Sequence, residues 1–191
     1  MNYETYRKII EEGSSQLDQR ERVALCLICC TRLAPLYSEF ARKEKWGDSS
    51  VLTKCRETAN NWLKGSTVDL TQLSKKTMEV IPDTEDFSSV SGSYALSAGV
   101  THAYLLDQIK KDKVEPIINV LQHCYDVVDF YVHEILDPEC KGNIPDFEIE
   151  NHNLMAAEIK WQLSQLNKIR GNQNLHNLVE EQNIEPILNI A

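Results

Sequence analysis

Between Val23 and Cys30 the chain reads VALCLICC, eight apolar residues without a break, inside a longer stretch with helical periodicity. A helix that is apolar on every side has no solvent face, so other elements must surround it. The run is far short of the roughly 20 residues that span a bilayer. The chain is therefore expected to wrap a shell of helices around one buried helix. Seven Gly and six Pro in 191 residues are too few for the many tight turns of a sheet protein, which points the same way.

Periodicity and capping residues divide the chain into about eight helices. The first is expected over 2–12, with Tyr3, Tyr6, Ile9 and Ile10 inward and Gly13 as its stop. The second opens at Asp18 and runs toward Lys43, kinked at Pro35. Asp48 caps a third that ends before Gly65, and Asp69 caps a short fourth that Pro82 stops. Residues 82–93 read as a loop, followed by a fifth helix to Lys111. In that helix Ala95, Gly99 and Ala103 form a small-residue face for close approach by a neighbour. Pro116 opens a sixth that runs to Leu136. Residues 137–150 read as the longest break. A seventh helix reaches Lys168, an eighth covers 174–183, and Pro186 bends the end. The expected fold is all-α, a single domain over 1–191. A chain of this length buries enough surface to need neither metal nor disulfide.

Several segments together resemble the YjaG family of bacterial proteins, a domain of unknown function. They are RVALCLICCTRLAPLYSEF at 22–40, WGDSSVLTKCRETANNWL at 46–63, IPDTEDFSSVSGSYALSAGVTHAYLLDQI at 81–109 and DVVDFYVHEI at 126–135. The most specific parts are the Trp46-Gly47-Asp48 turn and the loop from Pro82 to Phe87. The likeness spans 17–140 and runs on into the rest of the chain. It implies an all-helical fold and a bacterial cytosolic origin, and no activity or catalytic residue.

Six cysteines are present, at 26, 29, 30, 55, 124 and 140. Five lie in apolar helical patterns, where Cys packs as a small hydrophobe. Cys26 and Cys29 have C-x-x-C spacing, but a reactive thiolate needs an electropositive, accessible setting, and these sit mid-helix in the most apolar stretch. With the charged, amphipathic N-terminus MNYETYRKIIEEG, this composition reads as cytoplasmic, with free thiols.

The charge is unevenly spread. Residues 1–76 hold 13 Lys and Arg against 10 Asp and Glu, whereas 77–159 hold 4 against 16. A surface dominated by the middle segment repels nucleic-acid phosphates and attracts basic partners. The candidate partner-binding residues are Asp83, Glu85 and Asp86 in the 82–93 loop, Asp126, Asp129 and Asp137 on the sixth helix, and Asp146, Glu148 and Glu150 beyond it. On the sixth helix Ile117, Leu121, Cys124, Val128, Tyr131 and Ile135 read as the inner face.

Chemistry-bearing motifs are sparse. Asp126, Asp129 and His133 fall three and four residues apart on one helical stripe, a spacing that suits a divalent metal only if other helices add carboxylates. Neither a zinc pattern nor a phosphate loop is present, and the five His are scattered. No cofactor is expected and no catalytic residue is named. The sequence points to a non-catalytic protein-binding module that contacts neither nucleic acid nor membrane. Its sharpest form is an immunity protein neutralising a basic, nuclease-type toxin. The alternatives are a housekeeping homodimer or adaptor, with the small-residue face as a dimer seam, and a metal-dependent enzyme built on Asp126, Asp129 and His133.

Overall fold

The computed structural model describes residues 1–138, 142, 144–181 and 184–188. Among them are nine helices and no strand: α1 Tyr3–Ser15, α2 Gln19–Glu44, α3 Ser49–Leu63, α4 Thr71–Glu79, α5 Val90–Lys110, α6 Glu115–Leu136, α7 Asp146–Glu150, α8 Asn153–Ile169 and α9 Leu175–Glu181. The all-α expectation holds, with one short helix, α7, inside the expected break. Cys140 lies outside the described residues.

The central element is α2. It packs along α5 and is flanked by α3, α6, α8 and α9. Every residue from Val23 to Cys30 is buried. Among the described residues α2 alone is long and apolar enough to cross a membrane, but 72% of that window is buried inside the bundle, as a core helix requires.

Its start is fixed by a capping box. The Asp18 carboxylate accepts from the Glu21 amide, and the Glu21 carboxylate accepts from the Asp18 amide, each at 2.8 Å. Pro35 leaves the Thr31 carbonyl without its usual donor, yet α2 continues through it as one helix. One residue along, the Arg32 carbonyl accepts the Ile187 amide at 3.1 Å, which ties the C-terminal segment across the middle of α2.

Two boundaries and one face assignment differ from the sequence reading. Gly13 does not stop α1; it sits inside the helix with the Leu166 side chain beside it. Helix α5 begins at Val90 rather than near 94, because Ser89 supplies an N-cap whose Oγ accepts from the Gly92 amide. Ile135, read as an inner residue, is 46% exposed, because α6 outruns the elements that cover it. The small-residue face of α5 is used within the chain: Ala95 and Gly99 are buried, and Ile81 sits against Gly99.

The connection 111–114 makes α5 and α6 antiparallel neighbours, so the end of α6 lies beside the start of α5. Arg22 of α2 braces this connection through Asp112 and also donates to the Leu17 carbonyl just before its own helix.

Candidate functional site

The last two turns of α6 form the wall of a surface cleft. Val90 from the start of α5, Asp129, Phe130, His133, Glu134 and Asp137 from α6, and Pro138, Gly142 and Ile144 beyond it enclose about 540 Å³. A second cavity of about 420 Å³ adjoins it and shares Val90 and Glu134. Its walls are Pro35, Leu36, Glu39 and Lys43 of α2, Ser89, Ser91, Tyr94, Tyr131 and the C-terminal Leu188. Tyr94 donates from its hydroxyl to Glu134 and sets its ring edge-on to Phe130 at 5.8 Å.

The cleft combines acidity with exposed apolar surface. Val90 is 37% exposed and Phe130 39% exposed within the cleft; outside its lining, Ile135 and Leu136 at the end of α6, Phe147 of α7 and Leu154 of α8 also present large apolar side chains to solvent. Isolated cases are ordinary, whereas a concentration on neighbouring segments marks an interaction surface.

Of the predicted carboxylates Asp129 and Asp137 line the cleft, and Asp126, Asp146 and Glu150 lie near Asp129 or the Tyr125 ring beside it. Asp129 feels the charges of Asp126 and Asp146, and the Tyr125 ring lies within the field of Asp126, Asp129 and Glu150. Partial burial raises the carboxyls of Asp126 and Asp129 above the usual range. Asp126 accepts from the Gln122 amide at 2.6 Å, and Gln122 in turn accepts from the Tyr3 hydroxyl at 2.9 Å. Glu150 accepts the Tyr3 backbone amide at 2.9 Å, which closes α1 onto the cluster. Asp137 lines the cleft and accepts the Gly142 amide at 2.7 Å. Glu148 is exposed on α7. Asp83, Glu85 and Asp86 are exposed in the α4–α5 connection, and among the described residues none of them lines the cleft. That connection is anchored elsewhere, through Phe87 packed on Phe40 and Trp46.

Part of the acidic excess is neutralised by cations from residues 1–76. Lys75 pairs with Glu79, Arg22 with Asp112 and Arg32 with Glu158. Asp126, Asp129 and His133 do not assemble a metal site: among the described residues no three His, Cys, Asp or Glu groups converge on one point. The His133 ring is 3.0 Å from the Asp129 carbonyl and 3.5 Å from its carboxylate.

Sequence reasoning missed a polar network in the interior. Arg32 makes a two-pronged pair with Glu158 at 2.8 and 3.0 Å. Gln162 donates to Glu158 and to the Leu121 carbonyl, and the Tyr6 hydroxyl donates to Gln162 at 2.8 Å. Burial, the largest influence, drives the Tyr6 hydroxyl far above its ordinary pKa. The signal in the sequence was Arg32 itself, a lone cation following the most apolar run. The Cys26–Cys29 spacing carries no redox site: both thiols are buried, as are Cys30, Cys55 and Cys124. Burial holds Cys26 and Cys30 well above the normal thiol range.

Fold and site together define an all-α bundle with an acidic, partly apolar cleft at one end. The chain belongs to the family described as Protein of unknown function (DUF416), whose model matches residues 10–185. The crystal structure of a DUF416 family protein from Shewanella baltica OS155 is similar, with a TM-score of 0.78 at 19% identity, covering 90% of this chain and 91% of that one. At that identity the likeness is one of fold. No curated protein matches the chain.

Proposed function

We propose that this chain is a non-catalytic protein-binding module that docks a basic partner on the cleft at the end of α6. The observation that carries the reading is the union, in one cavity wall, of exposed Val90 and Phe130 with Asp129, Glu134 and Asp137. Interfaces concentrate aromatic and aliphatic anchors at their centre and polar groups at the rim. Carboxylates around such a centre steer a basic partner and raise its association rate. The sharpest form is a cytoplasmic immunity protein covering the phosphate-binding cleft of a nuclease-type toxin. Within the family, the segments at 22–40 and 81–109 favour placing the chain among its YjaG-like members.

The test is binding to the purified products of adjacent genes at two salt concentrations. Reversal of Asp126 and Asp129 to Lys is expected to weaken binding and flatten its salt dependence. Phe130→Ser is expected to weaken it at both salts. Reversal of Asp83, Glu85 and Asp86 is expected to matter little. If the α6 variants bind as the parent does, the surface is wrongly placed.

A further inference from the structure

A second depression, of about 850 Å³, lies where α2 begins, α3 and α5 end and α4 starts. Its character is opposite to that of the α6 cleft. The charged side chains lining it are Arg20 and Lys110, and its hydroxyls come from Ser66, Thr67 and Thr71. Trp62, Val68, Leu70 and Ile109 supply apolar wall. Neither cation pairs with a carboxylate among the described residues. Arg20 donates to the Leu63 carbonyl with its guanidinium 5.9 Å from the Trp62 ring centre, and Lys110 donates to the Ser74 hydroxyl at 2.6 Å. Both charges are therefore held in place without being neutralised.

The backbone around the depression is suited to an anion. Gly65 takes a positive φ of 91°, which turns the chain out of α3, and a side chain there would meet open space. Among the described residues the amides of Thr67, Val68 and Leu70 find no protein acceptor. Asp69, the one acid in the loop, is occupied by the amide and hydroxyl of Thr71. The helix-end carbonyls that would repel an anion are engaged: Gln19 takes those of Gln108 and Ile109, and Arg20 takes that of Leu63.

We infer that this depression binds a small organic phosphate, its oxyanion between Arg20 and Lys110 and its apolar body against Trp62, Val68 and Ile109. The volume falls within the range of small-molecule sites. Fixed cations and the hydroxyls of Ser66 and Thr67 are donors of the kind a phosphate group uses, and the unpaired loop amides lie beside them. The even share of apolar wall selects an organic ester over the free ion.

The probes are phenyl phosphate and inorganic phosphate, titrated at constant ionic strength against the full chain with amide NMR detection. Phenyl phosphate is expected to give saturable shifts confined to Trp62, residues 65–71 and Lys110, with inorganic phosphate binding more weakly. Arg20→Gln with Lys110→Gln is expected to weaken binding roughly tenfold or more. Arg20 also caps α3, so Thr67→Asp serves as a second variant: it adds a carboxylate from an exposed loop position and is expected to abolish binding without lowering the melting temperature. No saturable shift up to roughly 20 mM phenyl phosphate, or unchanged affinity in a folded Thr67→Asp protein, overturns the site. Equal affinity for the two probes overturns the organic part of the assignment.

Discussion

Arg32 of α2 and Glu158 of α8 meet side-on in the interior, at 2.8 and 3.0 Å, with the guanidinium 3.6 Å from the Trp161 ring centre. Both side chains are at least nine-tenths buried. Charges in such a place stand because each satisfies the other, and Gln162 and Tyr6 complete the donors and acceptors around them.

Removing one member should therefore cost far more than removing both. Glu158→Leu is expected to lose about 3–5 kcal/mol in urea unfolding, because it strands a buried guanidinium. Arg32→Met combined with Glu158→Leu is expected to recover most of that loss. A single variant no less stable than the double would show that the pair does not act as a unit.

His102 should make the protein acid-sensitive well above the carboxylate range. It is fully buried, with Nδ1 2.7 Å from the Ala98 carbonyl and Nε2 2.9 Å from the Arg56 guanidinium. Burial chiefly, aided by the Arg56 charge and opposed by the Ala98 carbonyl, holds its pKa at about 3. Below pH 6.5 the unfolded chain takes up a proton that the folded chain refuses. The contribution is thus complete above pH 6.5 and declines as pH falls toward 3. Between pH 6.5 and 5.5 the slope should approach ~1.4 kcal/mol per pH unit at the lower end. His102→Asn, measured by urea midpoints across that window, is expected to flatten it.

The buried thiols should be inert in the folded state. In a Cys140→Ser background, a thiol-specific chromogenic reagent at pH 8 is expected to find none of Cys26, Cys29, Cys30, Cys55 and Cys124 until denaturant is added. Rapid native labelling would mean that the helix carrying the labelled thiol (α2, α3 or α6) opens far more readily than its burial implies.

Gly92 marks the tightest backbone approach at the start of α5. A Cβ there would lie 2.2 Å from the Phe87 carbonyl oxygen, an atom that cannot rotate away. Gly92→Ala is expected to cost about 3 kcal/mol by thermal or urea unfolding, at the upper end for overpacking. A loss below 1 kcal/mol would mean that the 82–89 connection shifts freely.

The helices were legible wherever their signals are local. Asp18 and Asp48 cap α2 and α3 as their positions in the sequence suggested, whereas α4 begins after Leu70 without a side-chain cap and Asp69, the expected cap, accepts the Thr71 amide one residue further out. Where a signal was shared between segments the reading slipped. Ser89 was an equally good cap, but its loop-like surroundings hid it, and α5 starts earlier as a result. Gly13 carries the residue type of a stop, yet the nearby Leu166 of α8 favours the small residue inside a continuing helix. The candidate site shows the same division. The acidity of α6 could be read directly, whereas the company it keeps could not. Asp126, Asp146 and Glu150 come near Asp129 or the Tyr125 ring through the closure of α1 and α7 on α6, while Asp83, Glu85 and Asp86 line no part of the α6 cleft among the described residues.

By itself the sequence determined the class of fold, the burial of α2 and the absence of reactive cysteine chemistry along that helix, because each follows from periodicity and apolarity within one segment. Only the tertiary structure decided which charges cancel and which collect. Arg32 and Glu158 stand 126 residues apart, and their pairing takes two charges out of any surface account. Coulomb interactions depend on distance through space, and no one-dimensional spacing fixes that distance until the helices have packed.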